Sequence, residues 1–145
     1  MDKRLTFDQD AANYDRARPT YPAPLFADVI AYANLTAQSR LLEVGIGTGQ
    51  AALPFLQLGC QVTAIELGPS LAAYARSKFS SYSNLDVLNL DFAQYDGESD
   101  AFDLVYAATA FHWVPPEVAF PKALHLLKPG GAVALFWNHP FPEEG

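Results

Sequence analysis

Arg40-Leu-Leu-Glu-Val-Gly-Ile-Gly-Thr-Gly49, running on into Gln50-Ala-Ala-Leu-Pro-Phe-Leu-Gln-Leu58, decides how this chain is read. Arg40–Val44 is a short apolar run bounded by glycine, the pattern of a buried strand. Ala51–Leu58 reads as a helix closed by Gly59, with Pro54 in its first turn or kinking it. Between the two, Gly45, Gly47 and Gly49 occupy every second position. Glycine allows a tight turn and lets backbone come close to a ligand. The helix start that follows offers N–H groups without intrahelical partners.

Working outward, strand and helix patterns alternate. Upstream, Leu25, Phe26, Val29, Ile30 and Ala33 recur on one helix face after Pro22 and Pro24. Downstream, Gln61–Ile65 predicts a second strand. Pro69 suits the first position of a helix through Phe79 that buries Leu71, Tyr74 and Ala75. Leu85–Leu90 and Phe102–Ala107 predict the third and fourth strands, followed by a helix ending near Leu127. Lys128-Pro-Gly-Gly131 predicts a type II turn that reverses the chain into a fifth strand, Ala132–Trp137. Short connections between alternating elements imply a parallel sheet covered on both faces. The expected fold is therefore α/β, a Rossmann-like doubly wound sheet ordered 3-2-1-4-5 with helices on both faces.

Composition narrows the function classes. A chain of 145 residues can bury about 68–70% of its unfolded surface, enough for one core. Half the residues are hydrophobic and 13% aromatic, which argues against disorder. Nine Lys and Arg against sixteen Asp and Glu give a net charge of −7, with no basic cluster, so no nucleic-acid partner is expected. No apolar stretch approaches the ~20 residues that span a bilayer, and no apolar segment follows Met1–Arg4, so no membrane partner and a cytoplasmic location are expected. Cys60 reads as a small buried hydrophobe, and no metal-spaced His/Cys cluster is seen. Ala132–Trp137 would form an apolar sheet edge with nothing beside it, so the chain reads as a fragment, prone to self-association through the strand-five edge.

Two ligands fit the glycine loop. The dinucleotide fingerprint can be laid on Gly47, Gly49 and Ala52, with Glu66 roughly 20 residues on. That register leaves Gly45 unexplained and gives acidic Glu43 no purpose. Starting at Gly45 accounts for both, provided that the ligand carries positive charge near the loop. Glu43-Val-Gly45-Ile-Gly47-Thr-Gly49 resembles motif I of the class I S-adenosylmethionine-dependent methyltransferases. The resemblance continues in order through Glu66, Asp91-Phe92, Phe102–Ala107 and Leu127–Gly131.

This resemblance implies S-adenosyl-L-methionine as cofactor and methyl transfer to a small-molecule acceptor. It implies cofactor binding by Glu43, Gly45, Ile46, Gly47, Gly49, Glu66, Leu67, Asp91, Phe92 and Ala107. Glu66 would accept from both ribose hydroxyls. Asp91 would accept from the adenine amine, while the Phe92 N–H meets a ring nitrogen. Readings from other classes are a nicotinamide-dependent oxidoreductase and a cofactor-binding module without catalysis.

Phe7, Ala12, Tyr14 and Arg18–Pro22, with Ala110–Trp113 and Trp137-Asn138, resemble more narrowly the branch that includes trans-aconitate methyltransferase. This narrower resemblance implies a carboxylate or hydroxyl compound as the acceptor. The family's last two strands would then be missing. Residues 1–23 become a flap and residues 24–145 the cofactor-binding domain. Tyr14, Arg18, Phe111 and Trp113 are the candidate substrate pocket. His112 either accepts a proton from the acceptor, as the catalytic candidate, or bonds backbone; His125 and His139 read as surface residues.

Overall fold

The computed structural model describes residues 23–108 and 116–136. In chain order these form α1 (Ala23–Ala33), β1 (Arg40–Val44), α2 (Ala52–Leu58), β2 (Gln61–Glu66), α3 (Pro69–Lys78) and β3 (Leu85–Asn89). A single 3₁₀ turn (Phe92–Gln94) leads to β4 (Phe102–Ala108), α4 (Pro116–Leu126) and β5 (Leu127–Phe136). The strands make one parallel sheet ordered β3-β2-β1-β4-β5, as the sequence pattern implies. The proposed flap, residues 1–23, lies outside the described residues except for Ala23, which opens α1.

Strand residues alternate between two apolar layers, because successive side chains leave opposite faces of a sheet. Leu41, Val62, Ala64, Val87, Leu104 and Tyr106 join α1, α2 and α3 in one layer. Leu42, Val44, Ile65, Val105 and Ala107 join α4 and the 3₁₀ turn in the other. Phe55 of α2 centres the first layer, its ring 5.6 Å from Phe26 and 4.8 Å from Tyr106. Cys60 is fully buried and donates to the Thr36 carbonyl, as a small core residue.

Local rules account for the boundaries. Gly59 ends α2 at φ 104°, a left-handed cap that glycine takes without Cβ strain. Pro54 sits in the first turn, where no intrahelical donor is lost. Pro69 opens α3, and Phe79 caps that helix instead of extending it.

One expectation is corrected. Lys128–Gly131 does not reverse the chain. Leu127 already pairs with Phe102, and the register then jumps so that Ala132 pairs with Leu104, both in the parallel sense. The segment is a bulge inside β5. Gly130 takes φ 83°, and a Cβ on Gly131 would lie 3.0 Å from the Lys128 carbonyl oxygen and 3.2 Å from that of Asp103. Lys128 reaches Asp103 at 3.4 Å and ties the bulge to β4. Proline and two glycines suit a loop-out as well as a turn; the neighbouring strand decides between them.

Candidate functional site at the carboxyl edge of the sheet

A parallel sheet ends all its strands at one edge, and ligands of open α/β sheets bind outside that carboxyl edge. There the chain leaves β1 at Val44, β2 at Glu66, β3 at Asn89 and β4 at Ala108. An open depression of about 230 Å³, lined by Arg40, Gln61, Thr63, Asn84 and Asp86, lies at the opposite, amino edge. Its walls are the starts of β1, β2 and β3.

The glycine loop is shaped by its own backbone and by its neighbours on β2 and α3. Gly45, Gly47 and Gly49 all have positive φ, at 78°, 56° and 89°. Gly45 N–H donates to the Ile65 carbonyl at 2.6 Å, carrying the β1–β2 ladder one residue past the strand. Gly49 lies under the Phe79 ring, and a Cβ there would fall 2.3 Å from Cε2 of that ring. The third glycine therefore serves packing against the end of α3. Lys78 Nζ donates to the Thr48 carbonyl at 2.7 Å, and Thr48 is fully buried. The Ile46 side chain is in the core, which leaves its backbone as the group facing the loop.

Glu66 ends β2 and is only 6% exposed. Its Oε1 accepts the Gly47 N–H at 2.7 Å and its Oε2 accepts the Gly68 N–H at 2.9 Å. One carboxylate thus joins the glycine loop of β1 to the loop after β2. Asn89 at the end of β3 donates to the carbonyls of Glu66 and Leu67, at 2.8 and 3.0 Å, and holds the same corner from the other side.

Asp91 caps the 3₁₀ turn, its Oδ1 accepting the Ala93 N–H at 3.0 Å. The Phe92 ring is buried in the second core layer with Lys122 Nζ 5.5 Å from its centroid. Of the Asp91-Phe92 pair, the acid and the backbone are therefore what the surface retains. Ala107 is buried at the end of β4.

Glu43 is completely buried, directly opposite Tyr106 in the β1–β4 register. The Tyr106 hydroxyl donates to Glu43 Oε1 at 2.8 Å. Burial first, then the Glu43 charge and the hydrogen bond to it, hold the Tyr106 phenol well above its ordinary pKa of about 10, with a smaller push from Cys60. The phenol thus stays a neutral donor.

Glu66 is hydrogen-bonded to the glycine loop, Glu43 lies two residues before Gly45 on β1 and is bonded to Tyr106, and Asp91 follows the end of β3. Tyr14, Arg18, Phe111, His112 and Trp113 lie outside the described residues. Sequence reasoning missed Tyr106, Asn89, Lys78 and Phe79. Tyr106 alone left a signal, a polar hydroxyl in the apolar run Phe102–Ala108. Among the described residues no group of three or more His, Cys, Asp or Glu could hold a metal ion. No helix among them is long and apolar enough to cross a membrane.

A doubly wound parallel sheet with a glycine loop after β1 and acids at the ends of β1 and β2 defines a Rossmann-like domain. Comparison with known proteins goes further: residues 42–135 match the family model described as "Methyltransferase domain". The chain belongs to that methyltransferase family. An uncharacterised methyltransferase of Mycobacterium tuberculosis is 31% identical over 137 residues, covering 94% of this chain and 54% of the relative. A Saccharomyces cerevisiae protein named "probable S-adenosylmethionine-dependent methyltransferase" is 28% identical over 140 residues, covering 92% of this chain and 47% of the relative. Haemonchus contortus phosphoethanolamine N-methyltransferase 2, solved in complex with S-adenosyl-L-methionine, superposes with a TM-score of 0.79 at 20% identity. That match covers 99% of this chain and 38% of the other. The chain spans about half the length of the curated relatives it matches. Family membership decides between the two readings of the glycine loop, against the dinucleotide one.

Proposed function

We propose that this domain binds S-adenosylmethionine along Glu43–Gly49 and Glu66, and serves methyl transfer to a small-molecule acceptor. The observation that carries the reading is the Glu66 carboxylate, whose two oxygens hold the Gly47 and Gly68 N–H groups. It positions the glycine loop and places a carboxylate at a sheet edge suited to a ribose. The residues fit the cofactor in kind. Left-handed glycines bring bare backbone to the edge, Glu66 accepts from hydroxyls, Asp91 accepts from an amine, and the Phe92 backbone supplies an N–H.

When bound, the sulfonium supplies an already activated methyl group, so the chemistry asks for neither a metal nor a protein nucleophile. The chain's work is to bind, orient and exclude water, and orientation alone can lower barriers by about 7–11 kcal/mol. We assign Leu67, Ile46 and Ala107 to the walls of the cofactor site, and Tyr14, Arg18, Phe111 and Trp113 to the acceptor side. His112 accepts the proton of a hydroxyl acceptor or orients a carboxylate one. The remaining parts of the reading are a cytoplasmic location, no nucleic-acid or membrane partner, and self-association through the outer edge of β5.

Calorimetry with S-adenosylhomocysteine tests the cofactor assignment. Saturable binding is expected, with affinity lost roughly tenfold or more in Glu66→Ala, since a hydrogen bond to a charged group is worth about 1.5–3 kcal/mol. Unchanged affinity removes Glu66 from the site. Transfer of labelled methyl separates catalysis from a binding module. His112→Ala should lower turnover more than it weakens cofactor binding.

A further inference from the structure

Glu43 and Tyr106 sit across the point where the sheet's connectivity changes direction. From β1 the chain winds through β2 to β3 on one side, then returns to β4 on the other. A crevice for ligands opens at such a switch point. The two residues are in direct register there, both fully buried, two positions before Gly45 on one strand and two before the end of β4 on the other.

We propose that Tyr106 is a positioning residue: its hydroxyl fixes the Glu43 carboxylate beside the glycine loop, where that charge favours the cationic end of the bound ligand. The inference deepens the cofactor reading above and rests on it. Three features support it. The Tyr106 ring is itself held, packed against Phe55 with centroids 4.8 Å apart, so the hydroxyl is presented from a rigid support. A phenol satisfies one carboxylate oxygen without itself cancelling the charge, which a lysine or arginine at 106 would do. Burial and the neighbouring acid keep the phenol protonated and therefore donating. A purely structural strand pair would be served as well by two apolar residues, because burying a carboxylate costs free energy that only part of its hydrogen bonding returns. The position and the choice of donor together point to a charge kept for use.

Two probes share the adenosine and the thioether and differ in the amino-acid end: S-adenosylhomocysteine carries an ammonium, and 5′-methylthioadenosine does not. The affinity of the 145-residue chain for each is measured by calorimetry in the wild type, Tyr106→Phe, Glu43→Gln and the double variant. The expected result is a roughly tenfold loss for S-adenosylhomocysteine in Tyr106→Phe, with 5′-methylthioadenosine changed by less than about twofold. Adding Tyr106→Phe to Glu43→Gln should then change the ratio of the two affinities no further. Equal losses for both probes would make Tyr106 merely structural and overturn the proposal, as would a further change of the ratio in the Glu43→Gln background. If Tyr106→Phe alone does not fold, the comparison of Glu43→Gln with the double variant decides, because without a charge to position the loss of the phenol should leave the ratio of the two affinities unchanged. A wild type that binds neither probe overturns the cofactor reading itself, a result separate from any effect of Tyr106.

Discussion

The two edges of this sheet handle polar groups in opposite ways. At the amino edge, Asp103 accepts the Arg40 backbone N–H at 2.8 Å and pairs with Lys128, whose side chain is 43% exposed. At the carboxyl edge, Glu43 and Glu66 are buried; a phenol donates to one and backbone N–H groups donate to the other. Exposed ion pairs are worth little because water competes for both partners. A buried carboxylate is expensive unless hydrogen-bonded, so it persists where the arrangement serves something besides stability. The amino edge carries its acid on an exposed pair, and the carboxyl edge keeps its acids buried and hydrogen-bonded.

Breaking the glycine loop should have the largest effect. Gly49→Ala forces a Cβ into φ 89° and into the Phe79 ring, at 2.3 Å from Cε2. Left-handed strain and overpacking together should cost about 3 kcal/mol. Chemical denaturation would read this as a lower midpoint with an unchanged slope.

Glu66→Ala comes next. It strips the acceptors from the Gly47 and Gly68 N–H groups and should destabilise by about 2 kcal/mol, while also weakening the cofactor. If stability falls and S-adenosylhomocysteine affinity does not, the carboxyl edge is built for folding and the contrast between the edges fails.

The Tyr106 phenol sharpens the comparison through pH. Its folded pKa lies well above the ordinary value near 10, so its stabilising contribution is complete below about pH 10. Above that the unfolded chain loses the proton first, unfolding releases it, and stability falls as pH rises towards the folded value. Thermal melts should decline with a slope approaching about 1.4 kcal/mol per pH unit. Cys60, also raised chiefly by burial, adds to the loss on the alkaline side.

Lys128→Ala should have the smallest effect, within about 0.5 kcal/mol, and that effect should shrink in salt. A loss above about 1 kcal/mol would mean that the amino-edge pair holds the β5 bulge as firmly as the buried acids hold the loop.

Much of this was legible in the sequence because it depends on local pattern. Gly45, Gly47 and Gly49 after Arg40–Val44 announce a strand, a left-handed turn and a helix. Apolar runs at β2 to β5 announce a buried parallel sheet, and Glu66 and Asp91 fall at strand ends by counting alone. Lys128–Gly131 was misread because proline and glycine specify permitted dihedrals but not which neighbour they face. The roles of Asn89 and Lys78 were invisible for a related reason. Each acts on a backbone carbonyl 22 to 30 residues away in the chain.

The sequence by itself determined the order of elements, the direction of the sheet and the glycine loop after β1. Those follow from side-chain periodicity and from the dihedral freedom of particular glycines, both short-range properties of a chain. Only the tertiary structure decided that Tyr106 faces Glu43 across 63 residues, that Phe79 makes Gly49 obligatory, and that Glu66 grips the loop of another strand. These pairings arise because strand order and register bring distant residues within hydrogen-bonding reach. A hydrogen bond depends on about an ångström of placement, which no local pattern encodes.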